Sequence, residues 1–174
     1  MPIQLRPMTP ADAAAVLRIY GEGIATGHAT FQSDIPSWEE FDAGKLAAPR
    51  LVAEREGEIL GWAALSTVSS RCVYAGVAEM SVYVAAAARG EGVGRALLEG
   101  IVGASEAAGI WTLQAGIFPE NTASIAMHEK CGFTRLGTLE RLGFMRHGPM
   151  AGQWRDVLMM QRRSATVGID PPEA

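Results

Sequence analysis

A chain of 174 residues, 48% hydrophobic and 20% charged, is long enough for one domain with a full core, and no apolar run approaches the ~20 residues of a membrane span. The net charge of −4 argues against a general nucleic-acid binder. Cys72 and Cys131 form no C-x-x-C pattern and the three histidines form no i,i+4 pair, so neither a disulfide framework nor a metal site is expected.

Residues 3–6 alternate and predict a first strand. Thr9-Pro10-Ala11-Asp12 opens a helix: Thr9 caps it, Pro10 takes the first helical position and Asp12 favours the N-terminal dipole. Ala14, Val16, Leu17 and Tyr20 carry that helix to Gly21, and residues 23–35 read as irregular. Ser37-Trp-Glu-Glu40 is a capping box that starts a second helix. Residues 51–55 and 58–66 predict two strands around a turn at Glu56-Gly57, followed by a loop over 67–76 and a strand over 77–84. Val93, Leu97, Ile101 and Ala104 recur at helical spacing until Gly109. Residues 111–117 predict a strand, and 121–130 a helix closed by Gly132. Residues 133–140 and 153–161 predict a last pair of strands, with Trp111 and Trp154 in the core. A single domain over 1–162 and a disordered tail over 163–174 are expected. The order β-α-α-β-β-β-α-β-α-β-β is an α+β layout around one mixed sheet.

The chemistry concentrates where Ser81-Val-Tyr-Val84 runs into Ala88-Arg-Gly-Glu-Gly-Val-Gly-Arg95. Glycines let the backbone approach a bound group closely, and the following helix offers free N–H groups and the positive end of its dipole. Together they make a pyrophosphate site from main chain, flanked by Arg89 and Arg95. A Walker A loop would need Gly-Lys-Ser/Thr, which is absent, and the last glycine of a Rossmann fingerprint falls on Arg95 or Leu97.

What remains, Arg89-x-x-Gly92-x-Gly94, resembles the acyl-CoA signature of the GNAT N-acetyltransferases. The element order over residues 3–161 resembles the GNAT fold, an α+β fold with a mixed central sheet of about seven strands flanked by helices. The resemblance implies acetyl-CoA as cosubstrate and no metal. It places main-chain groups of Val82, Tyr83 and Val84 along the pantetheine arm and near the developing oxyanion. Arg89, Gly90, Glu91, Gly92, Val93, Gly94 and Arg95 would surround the pyrophosphate. Asn121, which can cap its helix, and Ser124 would meet the arm.

Three segments narrow the resemblance to the phosphinothricin and methionine-sulfoximine acetyltransferase branch. They are Ala78-Glu-Met-Ser-Val-Tyr-Val84, Asn121-x-x-Ser-x-x-x-His128-Glu-x-x-Gly-Phe133, and the stretch around Trp154-Arg-Asp-Val157. This branch implies a small-molecule amine acceptor, a homodimer and, with no leader or span read in the chain, a cytoplasmic enzyme. Glu79 shares a strand face with Ser81 and Tyr83; spacing alone favours a solvated strand glutamate paired with a Lys or Arg, and the resemblance makes it the candidate general base. His128 and His147 are candidates for contacting the cosubstrate or moving a proton, or are a structural and a loop histidine. Arg71 is the candidate anchor for an acceptor carboxylate or phosphinate, or a surface arginine, and Phe31 and Tyr74 are pocket walls or core. Two other functions stay open: acetylation of a protein N-terminus or another amine, and an acyl-CoA-binding module without turnover.

Overall fold

The computed structural model describes residues 1–171. Strands β1 (Gln4–Pro7), β2 (Arg50–Arg55), β3 (Glu58–Thr67) and β4 (Val77–Val84) pair antiparallel in succession. Strand β5 (Thr112–Ile117) joins β4 in parallel, and β7 (Trp154–Arg163) and β6 (Thr134–Phe144) extend the sheet antiparallel. The order is β1-β2-β3-β4-β5-β7-β6. A parallel neighbour needs a crossover, and α3 (Val93–Ala107) supplies it between β4 and β5. Helices α1 (Ala13–Thr26), α2 (Trp38–Ala43) and α4 (Thr122–Lys130) complete the fold.

The apolar stripe of α3 fills the core as its spacing predicts: Val93, Leu97 and Ile101 are buried, with Leu98 beside them. On the other side of the sheet Val16 and Ile19 of α1 and Phe41 of α2 are buried over Trp62. The Trp62 indole keeps its polar edge satisfied by donating to the Val16 carbonyl at 3.1 Å. Tyr83 stacks on Trp62 at 4.8 Å and takes the edge of Tyr20 at 4.9 Å, so β4 is wedged firmly against α1.

Four sequence expectations change. Helix α1 does not stop at Gly21 but continues to Thr26, where Gly27 at φ 69° ends it. The glycines inside it serve packing: a Cβ on Gly23 would lie 2.6 Å from the Tyr83 ring. Strand β6 runs past residue 140 to Phe144, because a bulge with Arg141 at φ 50° absorbs the irregularity and restores pairing at Gly143. The expected tail begins inside a strand, since Arg163 closes β7. Ser164 donates its N–H to Trp111 and its hydroxyl to Glu106, at 2.8 and 2.7 Å, and Arg163 reaches the Val167 carbonyl at 2.8 Å. Residues 172–174 of that tail lie outside the described residues. Finally, Trp154 is not core: it is 53% exposed, edge-on to Phe144.

Candidate active site

Strands β4 and β5 are paired only over Val77–Glu79 against Thr112–Gln114. Beyond Glu79 the strands part, because β4 continues along β3 to Val84 while β5 follows β7 to Ile117. The gap is a cleft of about 400 Å³, lined on one side by Glu79 to Tyr83 and on the other by Ala115 to Phe118. Among the described residues the β5-facing edge of β4 from Met80 to Val84 therefore has no strand partner, and its main-chain groups are free for a bound arm.

At one end the cleft continues into a second cavity of about 370 Å³, lined by Val82, Tyr83, Val84, Arg89 and Asn121. This cavity approaches the glycine turn. Gly90 and Gly92 take φ of 82° and 85°, conformations that ordinary side chains resist. Among the described residues no side chain caps α3 at Gly92, which leaves the N–H groups of its first turn for a ligand. An uncapped helix start beside an arginine fits the pyrophosphate of a nucleotide-bearing cosubstrate. Glu91 is held by Arg55 at 2.7 Å, and the Arg95 guanidinium pairs with Glu99 at 2.7 Å. Val93 buries its side chain in the core, and Gly94 lets α3 pass Met127 and Val84.

The fold, the open strand edge and the uncapped glycine turn coincide with what the comparisons find. The pattern of the acetyltransferase (GNAT) family matches residues 20–133. The chain belongs to the GNAT acetyltransferase family. It is an acetyl-CoA-dependent N-acetyltransferase. It is 36% identical to phosphinothricin N-acetyltransferase of Alcaligenes faecalis, over 91% of this chain and 81% of that one. It is 30% identical to the L-methionine sulfoximine/L-methionine sulfone acetyltransferase of Pseudomonas paraeruginosa, over 98% and 97% of the two chains. Among solved structures, a phosphinothricin acetyltransferase from Sinorhizobium meliloti in complex with acetyl-CoA is similar at a TM-score of 0.86 and 33% identity, covering 99% of this chain and 94% of that one.

Within this GNAT site, Glu79 stands at the fork of the strands, its position opposite Ser66 of β3. Asn121 caps α4 by accepting the Ser124 N–H at 3.3 Å, and both residues face the cleft. His128 is buried one turn on, and its Nδ1 lies 2.7 Å from the Ser124 carbonyl. A carbonyl only accepts, so Nδ1 carries the proton and Nε2 is left as an acceptor. Burial pushes the His128 pKa down, against a smaller upward pull from Ser124. Phe31 walls the cleft, edge-on to Phe118 at 5.0 Å.

Three predicted residues do not join them. Arg71 and Tyr74 lie exposed in the β3–β4 connection, packed on one another at 5.7 Å and not on the cleft. His147 does not line the cleft either, and both its ring nitrogens are buried without a hydrogen-bond partner among the described residues. Other residues facing the cleft were not singled out as site residues from the sequence: Lys45, His28, Met127 and Leu142. Beneath it Arg155 is buried, donating to the Gly27 carbonyl at 2.6 Å and lying 3.6 Å from the Phe118 ring centre. Lys45, His28 and Leu142 reach the cleft through contacts distant in sequence, whereas Met127 and Arg155 lie inside segments that already carry the resemblance.

Proposed function

We propose that this acetyltransferase acts on the amine of a small amino acid analogue of the phosphinothricin or methionine sulfoximine/sulfone kind, with Glu79 as general base. The observation that carries the reading is the position of Glu79 at the fork, where the acceptor-sized cleft and the free edge of β4 meet. Acetyl-CoA supplies, when bound, an acetyl group activated as a thioester. Its arm would lie along Met80 to Val84, and its pyrophosphate on the turn from Arg89 to Arg95. Glu79 takes the proton that the acceptor nitrogen must lose before or as it attacks, directly or through one water. A main-chain N–H near Tyr83 or Val84 faces the oxygen on which charge develops. The nitrogen–carbon bond forms, the carbon–sulfur bond breaks, and the electron pair leaves on sulfur.

His128, neutral and donating at Nδ1 to a carbonyl, acts as a cleft wall with an acceptor nitrogen and not as a proton donor. His147 is assigned no step. A homodimer is part of the proposal: β6 is exposed along its length and carries Leu136, Leu139, Leu142 and Phe144 outward. The exposed free thiol of Cys72 suits a reducing, cytoplasmic setting.

The test is thiol release from acetyl-CoA with methionine sulfoximine, phosphinothricin, an aminoglycoside and a short peptide as acceptors, with Glu79→Gln in parallel. Turnover with the amino acid analogues is expected, and the variant should lose about 10²- to 10⁴-fold in kcat while still binding acetyl-CoA. Turnover of the peptide alone would move the enzyme to protein acetylation. Acetyl-CoA binding without any turnover would leave an acyl-CoA-binding module.

A further inference from the structure

Only two of the chain's fifteen cationic side chains are lysines, and one of them, Lys45, faces the cleft. It follows Gly44, which ends α2, and its main chain is clamped. The Lys45 carbonyl accepts from Arg50 at 3.2 Å, and the Leu46 N–H donates to the Leu65 carbonyl of β3 at 2.7 Å. The side chain is half-buried. Its ammonium lies 5.9 Å from the centre of the Phe41 ring and donates to the hydroxyls of Ser66 and Ser81 at 3.3 and 3.4 Å.

Those two serines fix where the ammonium sits. Ser66 is the cross-strand partner of Glu79, and Ser81 lies two residues beyond Glu79 on the same face of β4. Lys45 therefore stands on the same face of the sheet as Glu79, its ammonium between the residue across from Glu79 and the next same-face residue of β4. An α-amino acid carries its carboxylate one carbon away from its amine. Neighbouring groups on one face can therefore hold both ends at once, the amine at Glu79 and the carboxylate at a cation.

The partners of the ammonium are neutral hydroxyls and an aromatic face, and the neighbouring Arg50 already takes Asp42 as its ion-pair partner. A cation held out of water with neutral partners is costly unless an anion joins it. Burial accordingly pushes the Lys45 pKa down, and the Glu79 charge opposes that shift. Arg71, the sequence candidate for an anion anchor, lies outside this cleft.

We propose that Lys45 recognises the carboxylate of the acceptor and makes the enzyme selective for free amino acids over their amides. The inference rests on the acceptor class proposed above. Its test compares methionine sulfone with methionine sulfone carboxamide, using the wild type, Lys45→Met and Lys45→Arg. The wild type should favour the acid by about 10- to 100-fold in kcat/KM. Lys45→Met should lose that preference through a raised KM for the acid, with acetyl-CoA affinity unchanged, and Lys45→Arg should restore part of it.

A wild type that does not distinguish acid from amide, or a Lys45→Met variant that keeps the preference, overturns the proposal. A shifted pH profile with the preference intact also overturns it, since Lys45 would then act only through Glu79. Should Lys45→Met fail to fold, the wild-type ratio and Lys45→Gln read the same quantity. Turnover of neither compound, alongside turnover of a peptide, would refute the acceptor class and this inference with it. Turnover of the acid with no role for Lys45 refutes this inference alone.

Discussion

Arg6 grips both carboxylate oxygens of Asp12, at 2.8 and 2.9 Å, and the Thr9 N–H adds a bond at 2.8 Å. The Arg6 bonds, above all, hold the Asp12 pKa at about 2, below its ordinary 3.8. A carboxyl group whose pKa is lower in the folded than in the unfolded chain favours folding above the unfolded value. That contribution fades as pH falls from about 4 towards 2. Asp12→Asn should therefore cost about 1–2 kcal/mol at pH 7, allowing for the exposure of Arg6, and much less near pH 2. Urea titrations of both proteins at the two pH values check this, and an equal loss at both would contradict it. The same scale separates the cleft residues. Glu79 was legible because it falls beside a recognisable motif. Lys45 was not, because a lysine in a Gly-Lys-Leu-Ala-Ala stretch looks like any solvated cation until β3 and β4 are brought beneath it.

The unit that matters at the next scale is strand, glycine turn and helix, β4 through α3. Tyr83 anchors the strand against Trp62, Val93 and Leu97 anchor the helix in the core, and the turn between them is left to glycine. Gly92 has open space where a Cβ would go, so its requirement is conformational and not steric crowding. A side chain forced into its left-handed backbone costs about 1–2 kcal/mol, or the turn rearranges. Gly92→Val should accordingly raise the Kd for acetyl-CoA about tenfold by calorimetry, with the folded circular dichroism spectrum retained. Unchanged affinity would place the pyrophosphate elsewhere. Elsewhere along the chain, element ends are legible where a capping box or a left-handed glycine marks them, as at Ser37 and Gly132. The end of α1 is not legible in the sequence because Gly21 and Gly23 resemble a stop, whereas they are small so that Ile35 and Tyr83 fit against the helix.

At the scale of the whole molecule the sheet has an unprotected end. Strand β6 is its outermost strand, and Leu136, Leu139, Leu142 and Trp154 are exposed by 44–56%. Long exposed apolar edges of this kind invite another chain. Leu142 also lines the cleft, so a second copy seated there would help to close it. Light scattering should give twice the 18.5 kDa chain mass. Leu139→Glu should give the monomer, with turnover lowered and acetyl-CoA binding kept. A wild-type mass of one chain would refute the dimer.

The sequence by itself determined the layout and the glycine turn and singled out Glu79, because each is encoded by neighbours in the chain: alternation, helical spacing, caps and glycines at fixed offsets. Only the tertiary structure decided what lines the cleft. The fork between β4 and β5 arises because two strands choose different partners, and the place of Lys45 beside Glu79 arises because α2 is folded over β3 and β4. It also removed Arg71, Tyr74 and His147 from the lining of the cleft, since a residue type that suits a role acts only where the chain's packing delivers it.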